Sequence, residues 1–278
     1  MNEKASSTNE GPAIPSVQAG QPVLVEQRGA VRHITLNRES RRNALNEELV
    51  RLLGDAIESA ASEPSLRAIV ITGAGDRAFC AGADLQKGIK GAAFDLDFSR
   101  PRHYLVELFR RMQACRLPIV ARVNGHVMAG GFGLLCACDM AVAADDVLFG
   151  TPETKIGLIP MMILPVMQRV VPERKLLEMC ITGEPMTASE ALHSGILNYA
   201  VPRGDLDTRL DWLLARITDK SPTAIRIGKQ AFHAMRDMAM SEALEYAQVM
   251  VPVMVSTQDG QEGLAAFQER RTPVWTGR

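Results

Sequence analysis

The chain has 278 residues, 46% of them apolar and 23% charged, with a formal net charge of −1. That is the composition of a globular protein with a sizeable core, organised as one large domain or one and a half. Near-neutral charge gives no global attraction for a polyanion, so neither nucleic acid nor an anionic membrane is an expected partner, and no apolar run reaches the ~18 residues that a bilayer span needs.

Residues 1–21 are polar and rich in Ser, Gly and Pro. They lack the apolar stretch of a secretory signal and the arginines of a transit peptide, and read as a flexible tail on a cytoplasmic protein. Val23 to Glu26 and Val31 to Leu36 flank Arg28-Gly29-Ala30 as a hairpin. Asn43 is the expected cap of a helix whose apolar face is Leu45, Leu49, Leu52, Leu53, Ala56, Ile57 and Ala60. A buried strand, Ala68 to Thr72, leads into the turn Gly73-Ala74-Gly75-Asp76. An irregular polar stretch from Gln86 to Arg102 precedes a helix over Tyr104 to Cys115.

Ile119 to Val123 is an apolar strand ended by Asn124-Gly125. Glycines Gly125, Gly130, Gly131 and Gly133 then open a short helix through Cys138, followed by strands Met140 to Ala144 and Val147 to Phe149 and the loop Gly150-Thr151-Pro152-Glu153. A helix that starts inside a Gly-rich turn presents unpaired N–H groups to which a ligand oxygen has close access. Such a start suits a phosphate or the oxyanion that develops from a carbonyl. The apolar, methionine-containing run from Lys155 to Leu164 is expected to pack in the core, with a wall for an apolar ligand as the second reading. Thr187 to Glu190 is a capping box, Ile196 to Val201 a buried strand, and everything after Pro202 is helical in pattern. The expected division is a tail (1–21), a mixed core (22–202) and an all-helical C-terminal module (203–278).

The segments AFCAGADL (78–85), VNGHVMAGGFGLLCACD (123–139) and FGTPE (149–153) together resemble the crotonase superfamily of enoyl-CoA hydratases and isomerases, and the resemblance runs from about residue 22 to 278. It implies an α/β fold, a crotonase-like spiral of ββα units with an all-helical C-terminal module, and chemistry on an acyl-CoA thioester. By motif position, the N–H groups of Ala83 and Gly130 would form an oxyanion hole and Glu153 would carry the proton. Ala81, Asp84, Leu85, Gly131 and Gly133 would line the substrate site, and Phe267 and Arg270 would lie near the nucleotide end of CoA. The family's hydratases carry a further glutamate at the position of Gly133, and restoring it is expected to raise hydration. Its double-bond isomerases manage with a single carboxylate, so isomerisation of an enoyl-CoA is favoured. Hydration of a 2-enoyl-CoA is the alternative, and a non-catalytic acyl-CoA binder or RNA-binding member is the reading from another class. The family also implies a homotrimer or a dimer of trimers, and no cofactor beyond the CoA of the substrate.

Several conspicuous residues have duller expected roles. His126 lacks a nucleophile placed by any motif and reads as a hydrogen-bonded structural histidine. Asp139, between apolar neighbours, is expected to pair with an arginine or a backbone N–H. Asp84 is expected to brace its loop, and Glu153 also fits a capping role at a helix start. The five cysteines read as reduced core residues, and Cys136-Ala137-Cys138 lacks the spacing of a zinc site, so no metal is expected.

Overall fold

The computed structural model describes residues 20–85, 98–99 and 102–278. The expected tail as far as residue 19, and most of the irregular stretch before Arg102, fall outside the described residues. The chain opens with an antiparallel hairpin, β1 (Val23–Arg28) and β2 (Val31–Leu36). From there it repeatedly runs one strand in a large sheet, steps into a small one, and returns through helix. The units are β3 (Ala68–Gly73), β4 (Ala78–Cys80) and α2 (Tyr104–Ala114), then β5 (Ile119–Val123), β6 (His126–Met128) and α3 (Gly130–Cys136). The third is β7 (Met140–Ala144) and β8 (Leu148–Gly150), followed by α4 (Leu164–Met167) and α5 (Glu173–Thr182). Next come β9 (Met186–Thr187), α6 (Ala188–His193) and β10 (Tyr199–Val201). Among the described residues the large sheet has the order β1-β2-β3-β5-β7-β10 and the small one β4-β6-β8-β9. This is a spiral of ββα units, and every pairing among β3, β5 and β7, and among β4, β6 and β8, is parallel.

Beyond the β1–β2 hairpin the large sheet is parallel, and its central strands are apolar on both faces. β3, β5 and β7 are almost wholly buried, as strands covered from both sides must be. Asn124 ties two of the steps between sheets together, its amide accepting from the Gly73 N–H at 3.2 Å and donating to the Gly73 carbonyl at 2.7 Å. One face of the large sheet is covered by α1 (Glu47–Ser62), which buries Leu49, Val50, Leu53, Gly54, Ile57 and Ala60. Its cap is Asn46, whose side chain accepts from the Leu49 N–H, and not Asn43 as the sequence suggested. Asn43 is fully buried at φ 56°, and its amide is spent on the Ala74 and Ala78 carbonyls and the Arg38 N–H.

The C-terminal helices are α7 (Leu206–Thr218), α8 (Pro222–Met235), α9 (Met240–Val255) and α10 (Gln258–Glu269). Asp139 fastens α8 to the core. Its carboxylate accepts from the Ile119 N–H at 2.7 Å and from Lys229 Nζ at 2.6 Å, so its cationic partner is a lysine and not an arginine. Four of the five cysteines are buried, and all five are free. Among the described residues no helix is long and apolar enough to cross a membrane, and no group of three or more His, Cys, Asp or Glu is placed to hold a metal.

Asp259 anchors the end of the chain. It is 1% exposed and accepts from the N–H groups of Thr276 (2.8 Å) and Gly277 (3.0 Å) and from the Ser221 hydroxyl (3.0 Å). Burial pushes its carboxyl up, but the Thr276 and Gly277 N–H groups with Thr223 and Ser221 outweigh that and hold it down at about 2, below the usual 3.8. A lowered carboxyl stabilises the fold above its unfolded value, and that contribution is lost as pH falls from about 4 towards 2. Asp259→Asn is therefore expected to cost up to about 2 kcal/mol at neutral pH and to lower the melting temperature by several degrees. Melting curves of parent and variant should converge near pH 2; a constant difference down to that pH would contradict the assignment.

Candidate active site

Three parallel strands of the small sheet, β4, β6 and β8, deliver the candidate residues from the same end. Ala83 comes three residues after the end of β4, Gly130 two after β6, and Glu153 three after β8, and the registers Cys80↔Val127 and Met128↔Gly150 set those ends side by side. Strand ends of this kind, with loops leaving from one edge, are where α/β folds build sites.

Ala83 sits in an isolated bridge with Leu45. Leu45 donates its N–H to the Gly82 carbonyl (2.7 Å) and accepts from the Asp84 N–H (2.8 Å). Backbone groups alternate direction along an extended chain, so the Ala83 N–H points away from Leu45. Gly130 is the first residue of α3, where an N–H has no intrahelical acceptor. Among the described residues neither N–H has a protein acceptor. The two lie close: a Cβ built on Gly130 would be 3.6 Å from the Ala83 nitrogen, and one built on Gly82 would be 3.1 Å from the Gly130 nitrogen.

That closeness depends on missing side chains. A Cβ on Gly131 would strike the Cys80 carbonyl oxygen and lie 2.8 Å from Cys80 Cβ, so α3 starts directly against the end of β4. Gly82, at φ +94°, leaves room for the methyl of Ala129, which a Cβ on Gly82 would approach to 2.6 Å. Ala129 itself caps α3 at φ 51°, ψ −127°, held there by its N–H to the Gly150 carbonyl (2.8 Å) and by its carbonyl accepting from the Phe132 N–H (2.8 Å). An alanine in this region is strained by about 1–3 kcal/mol. Phe132 and Phe149, both fully buried, meet edge to face with ring centres 6.5 Å apart and lock α3 over β8.

Glu153 lies in a 3-10 turn, Pro152–Ile156, whose carbonyl at Glu153 accepts from the Leu158 N–H at 3.0 Å. One carboxylate oxygen, Oε2, is buried without a hydrogen-bond partner among the described residues. Burial raises the pKa of the group above the ordinary glutamate value. A carboxylate desolvated in this way binds a proton more readily than one in water. Asp84 braces its loop as expected, accepting from Arg38 Nη2 at 2.6 Å, while Arg38 Nη1 holds the Ala44 carbonyl at 2.6 Å. Ala81 gives its N–H to the Arg42 carbonyl at 3.0 Å, and Leu85 is 44% exposed where the described chain breaks off. His126 is structural, its Nδ1 accepting from the Leu148 N–H at 3.0 Å.

Two features were not readable from the sequence. Gly133 is buried on α3 under Ile163, which is 3% exposed: a Cβ there would run into Ile163 Cγ2, lie 2.5 Å from Ile163 Cβ and 3.3 Å from Phe109 Cζ. A glutamate at this position has no room, so the expected gain of hydration from that single replacement is withdrawn. The run from Lys155 to Leu164 is mostly surface: Ile156, Leu158, Ile159, Met161 and Met162 are exposed, and Pro160 and Ile163 are buried. Phe267, 84% exposed, lies on α10 and Arg270 caps its C-terminal end, and the helix packs on α8 and α9, so within one chain they are not gathered with the other candidate residues.

The strain at Ala129 makes a stability prediction. Glycine usually costs about 0.5–1 kcal/mol relative to alanine through the unfolded chain. Ala129→Gly is expected to reverse that sign and stabilise the protein by about 1 kcal/mol, raising the melting temperature by about 2 °C. A lower melting temperature would show that Ala129 is not strained.

A sequence profile described as "Enoyl-CoA hydratase/isomerase" matches residues 26–278. Carnitinyl-CoA dehydratase of Escherichia coli is 35% identical over 260 residues, covering 90% of this chain and 96% of that protein. A probable enoyl-CoA hydratase of Mycobacterium tuberculosis is 34% identical over 262 residues, covering 93% and 99%. Among solved structures, human enoyl coenzyme A hydratase domain-containing protein 3 superposes with a TM-score of 0.85 at 29% identity, over 91% of this chain and 100% of that one. The Pseudomonas aeruginosa protein AtuE gives 0.84 at 32%, over 92% and 100%. With its whole ββα spiral and helical C-terminus inside these matches, the chain has the crotonase fold and belongs to the enoyl-CoA hydratase/isomerase family of enzymes.

Proposed function

We propose that the protein isomerises the double bond of an enoyl-CoA thioester, moving it from C3=C4 to C2=C3. The observation that carries this reading is the half-buried Glu153, with one oxygen unpartnered among the described residues, on the same strand-end edge as two N–H groups likewise unpartnered among them. In the proposed reaction Glu153 takes a proton from C2 as the C2–H electrons move into the thioester. Negative charge gathers on the carbonyl oxygen, where the N–H groups of Ala83 and Gly130 receive it. Each preorganised donor of this kind contributes about 3 kcal/mol at the transition state. The dienolate then accepts the same proton from Glu153 at C4. Atoms and charge balance with one proton carrier, and no cofactor is needed beyond the CoA that arrives with the substrate.

Gly133 supports isomerisation over hydration, since Ile163 fills the place from which a second carboxylate would hold water. Hydration of a 2-enoyl-CoA through Glu153 alone is the second reading, favoured by relatives named as a probable enoyl-CoA hydratase and a carnitinyl-CoA dehydratase. Glu153→Gln, which keeps shape and removes the proton carrier, is expected to lower isomerisation of 3-enoyl-CoA by about 100- to 10,000-fold while sparing binding of the ester. Because burial raises the Glu153 pKa and the base must be ionised, kcat/KM should fall on the acid side at a pH above the ordinary glutamate range. Turnover by the glutamine variant within a few-fold of the parent, or an acid limb at or below the ordinary value, would remove Glu153 from this role. A parent that binds the ester and turns over neither 2- nor 3-enoyl-CoA would leave only the binder.

The same reading includes a homotrimer, single or paired. Helix α9 has no buried residue, and Val249, Val251, Val253 and Val255 are all exposed. A second apolar surface includes the exposed Ile159 and Ile181, which line one groove with Leu164, Leu176 and Leu177 where α5 packs on the Glu153 turn. Two unlike surfaces that mate head to tail form a ring when the rotation between neighbours closes, here after three copies. Light scattering should give a mass of three or six chains, and Val251→Asp should reduce it to one; a parent that is a monomer at micromolar concentration contradicts the ring.

A further inference from the structure

Ile163 enters the site region from far along the chain. It precedes α4, its N–H donates to the Pro160 carbonyl at 3.2 Å, and it is 3% exposed amid a run that is otherwise mostly on the surface. Its side chain stands where the side chain of residue 133 would be, and Phe109 of α2, 9% exposed, closes the other side. Gly133 is three residues after Gly130 on α3, nearly one helical turn, so this contact lies about one turn from the N–H assigned above to the thioester oxygen. Gly133, Ile163 and Phe109 meet in an apolar contact that offers water no polar side chain, and a water needs both volume and two or more polar partners.

We infer that Ile163 is the specificity-determining residue that keeps this side of the site dry, so that the proton on Glu153 returns to carbon and is not exchanged with, or replaced by, water. The inference rests on the isomerase reading and deepens it. The protonated Glu153 and the dienolate face each other for as long as the intermediate lives. With this side closed to water, the proton returns only to carbon, back to C2 to regenerate the substrate or on to C4, and the C2–H hydrogen is recovered in the product. With water admitted, the glutamic acid exchanges its hydrogen with solvent before returning one. Oriented by a second carboxylate, that water would also reach C3 of a 2-enoyl ester, its oxygen bonding to C3 while its hydrogen goes to C2. Ile163 and Gly133 thus exclude both outcomes with one contact.

The test follows isomerisation of a 3-enoyl-CoA in deuterated water and, separately, hydration of the 2-enoyl-CoA, in the parent, Ile163→Ala, Ile163→Thr and the double variant Gly133→Glu with Ile163→Gly. Thermal melting identifies any variant that fails to fold, and Ile163→Thr, close to isoleucine in branching but carrying a hydroxyl, serves if the alanine variant does. The parent should return mostly substrate hydrogen. The alanine or threonine variant should raise deuterium incorporation several-fold, and the folded double variant should raise the ratio of hydration to isomerisation by at least about tenfold, the lower end of what one positioned acid or base contributes being higher still. An isomerising parent whose Ile163 variants show the same deuterium incorporation and the same ratio overturns the role of Ile163 and leaves the isomerase reading standing. A parent that hydrates efficiently with Ile163 in place, or that turns over neither ester, overturns both.

Discussion

Backbone meets backbone where α3 starts against the end of β4, and the candidate site depends on that approach. Gly131 lies against the Cys80 carbonyl and Gly82 against the methyl of Ala129, so any side chain at either glycine would push the Ala83 and Gly130 nitrogens apart. The distance is held from outside by ordinary forces. Phe132 on Phe149 clamps the helix to β8, the Leu45 bridge fixes the loop after β4, and the Arg38 to Asp84 ion pair fastens the same loop from its far side. Two N–H groups are left over by this packing because the helix has just begun and the extended chain has just turned away from its neighbour.

Local discomfort collects at the same place. Ala129 occupies backbone space that alanine avoids, and Glu153 keeps one oxygen out of water with no partner among the described residues. Both persist because the surrounding sheets and helices over-determine them, with β3, β5 and β7 buried on both faces behind the site. A polar group without a partner gains from a ligand that supplies one, and among the described residues the Ala83 and Gly130 N–H groups and Glu153 Oε2 are such groups, with Thr154 Oγ1 in the same turn as Glu153.

The central strands β3, β5 and β7 were readable in the sequence because they are apolar runs between turn residues, whereas the buried strand expected over Ile196 to Val201 is only Tyr199–Val201 and half-buried, Ile196 and Leu197 being buried ahead of it. β4 and β6 were not: each is three residues, and β6 begins with an exposed histidine, so no period is visible. Asn43 and Asn46 both suit a cap, and only tertiary structure shows that the first is consumed by carbonyls of a later loop. The motifs located Ala83, Gly130 and Glu153 through their resemblance, yet the motif around Gly133 says nothing of Ile163, thirty residues on, because their contact is made by folding. The apolar run after Glu153 was misread for a related reason. Apolarity indicates that a segment will be covered, and does not say whether its own chain or another covers it. Phe267 and Arg270 owe their expected role to resemblance alone, and their helix is turned towards α8 and α9.

The anchoring of the C-terminus by Asp259 bears on how the molecule can be labelled. Thr276 and Gly277 are bound through their N–H groups, the Arg226 guanidinium holds the Gly277 carbonyl at 2.6 Å, and the Asp259 N–H holds the Arg278 carbonyl at 3.0 Å. A fluorophore or spin label attached at Arg278 would start from a fixed point, because the backbone of residues 276–278 is held. Its anisotropy would follow the tumbling of the helical region and, through that, the size of the assembly, without any residue of the site being touched.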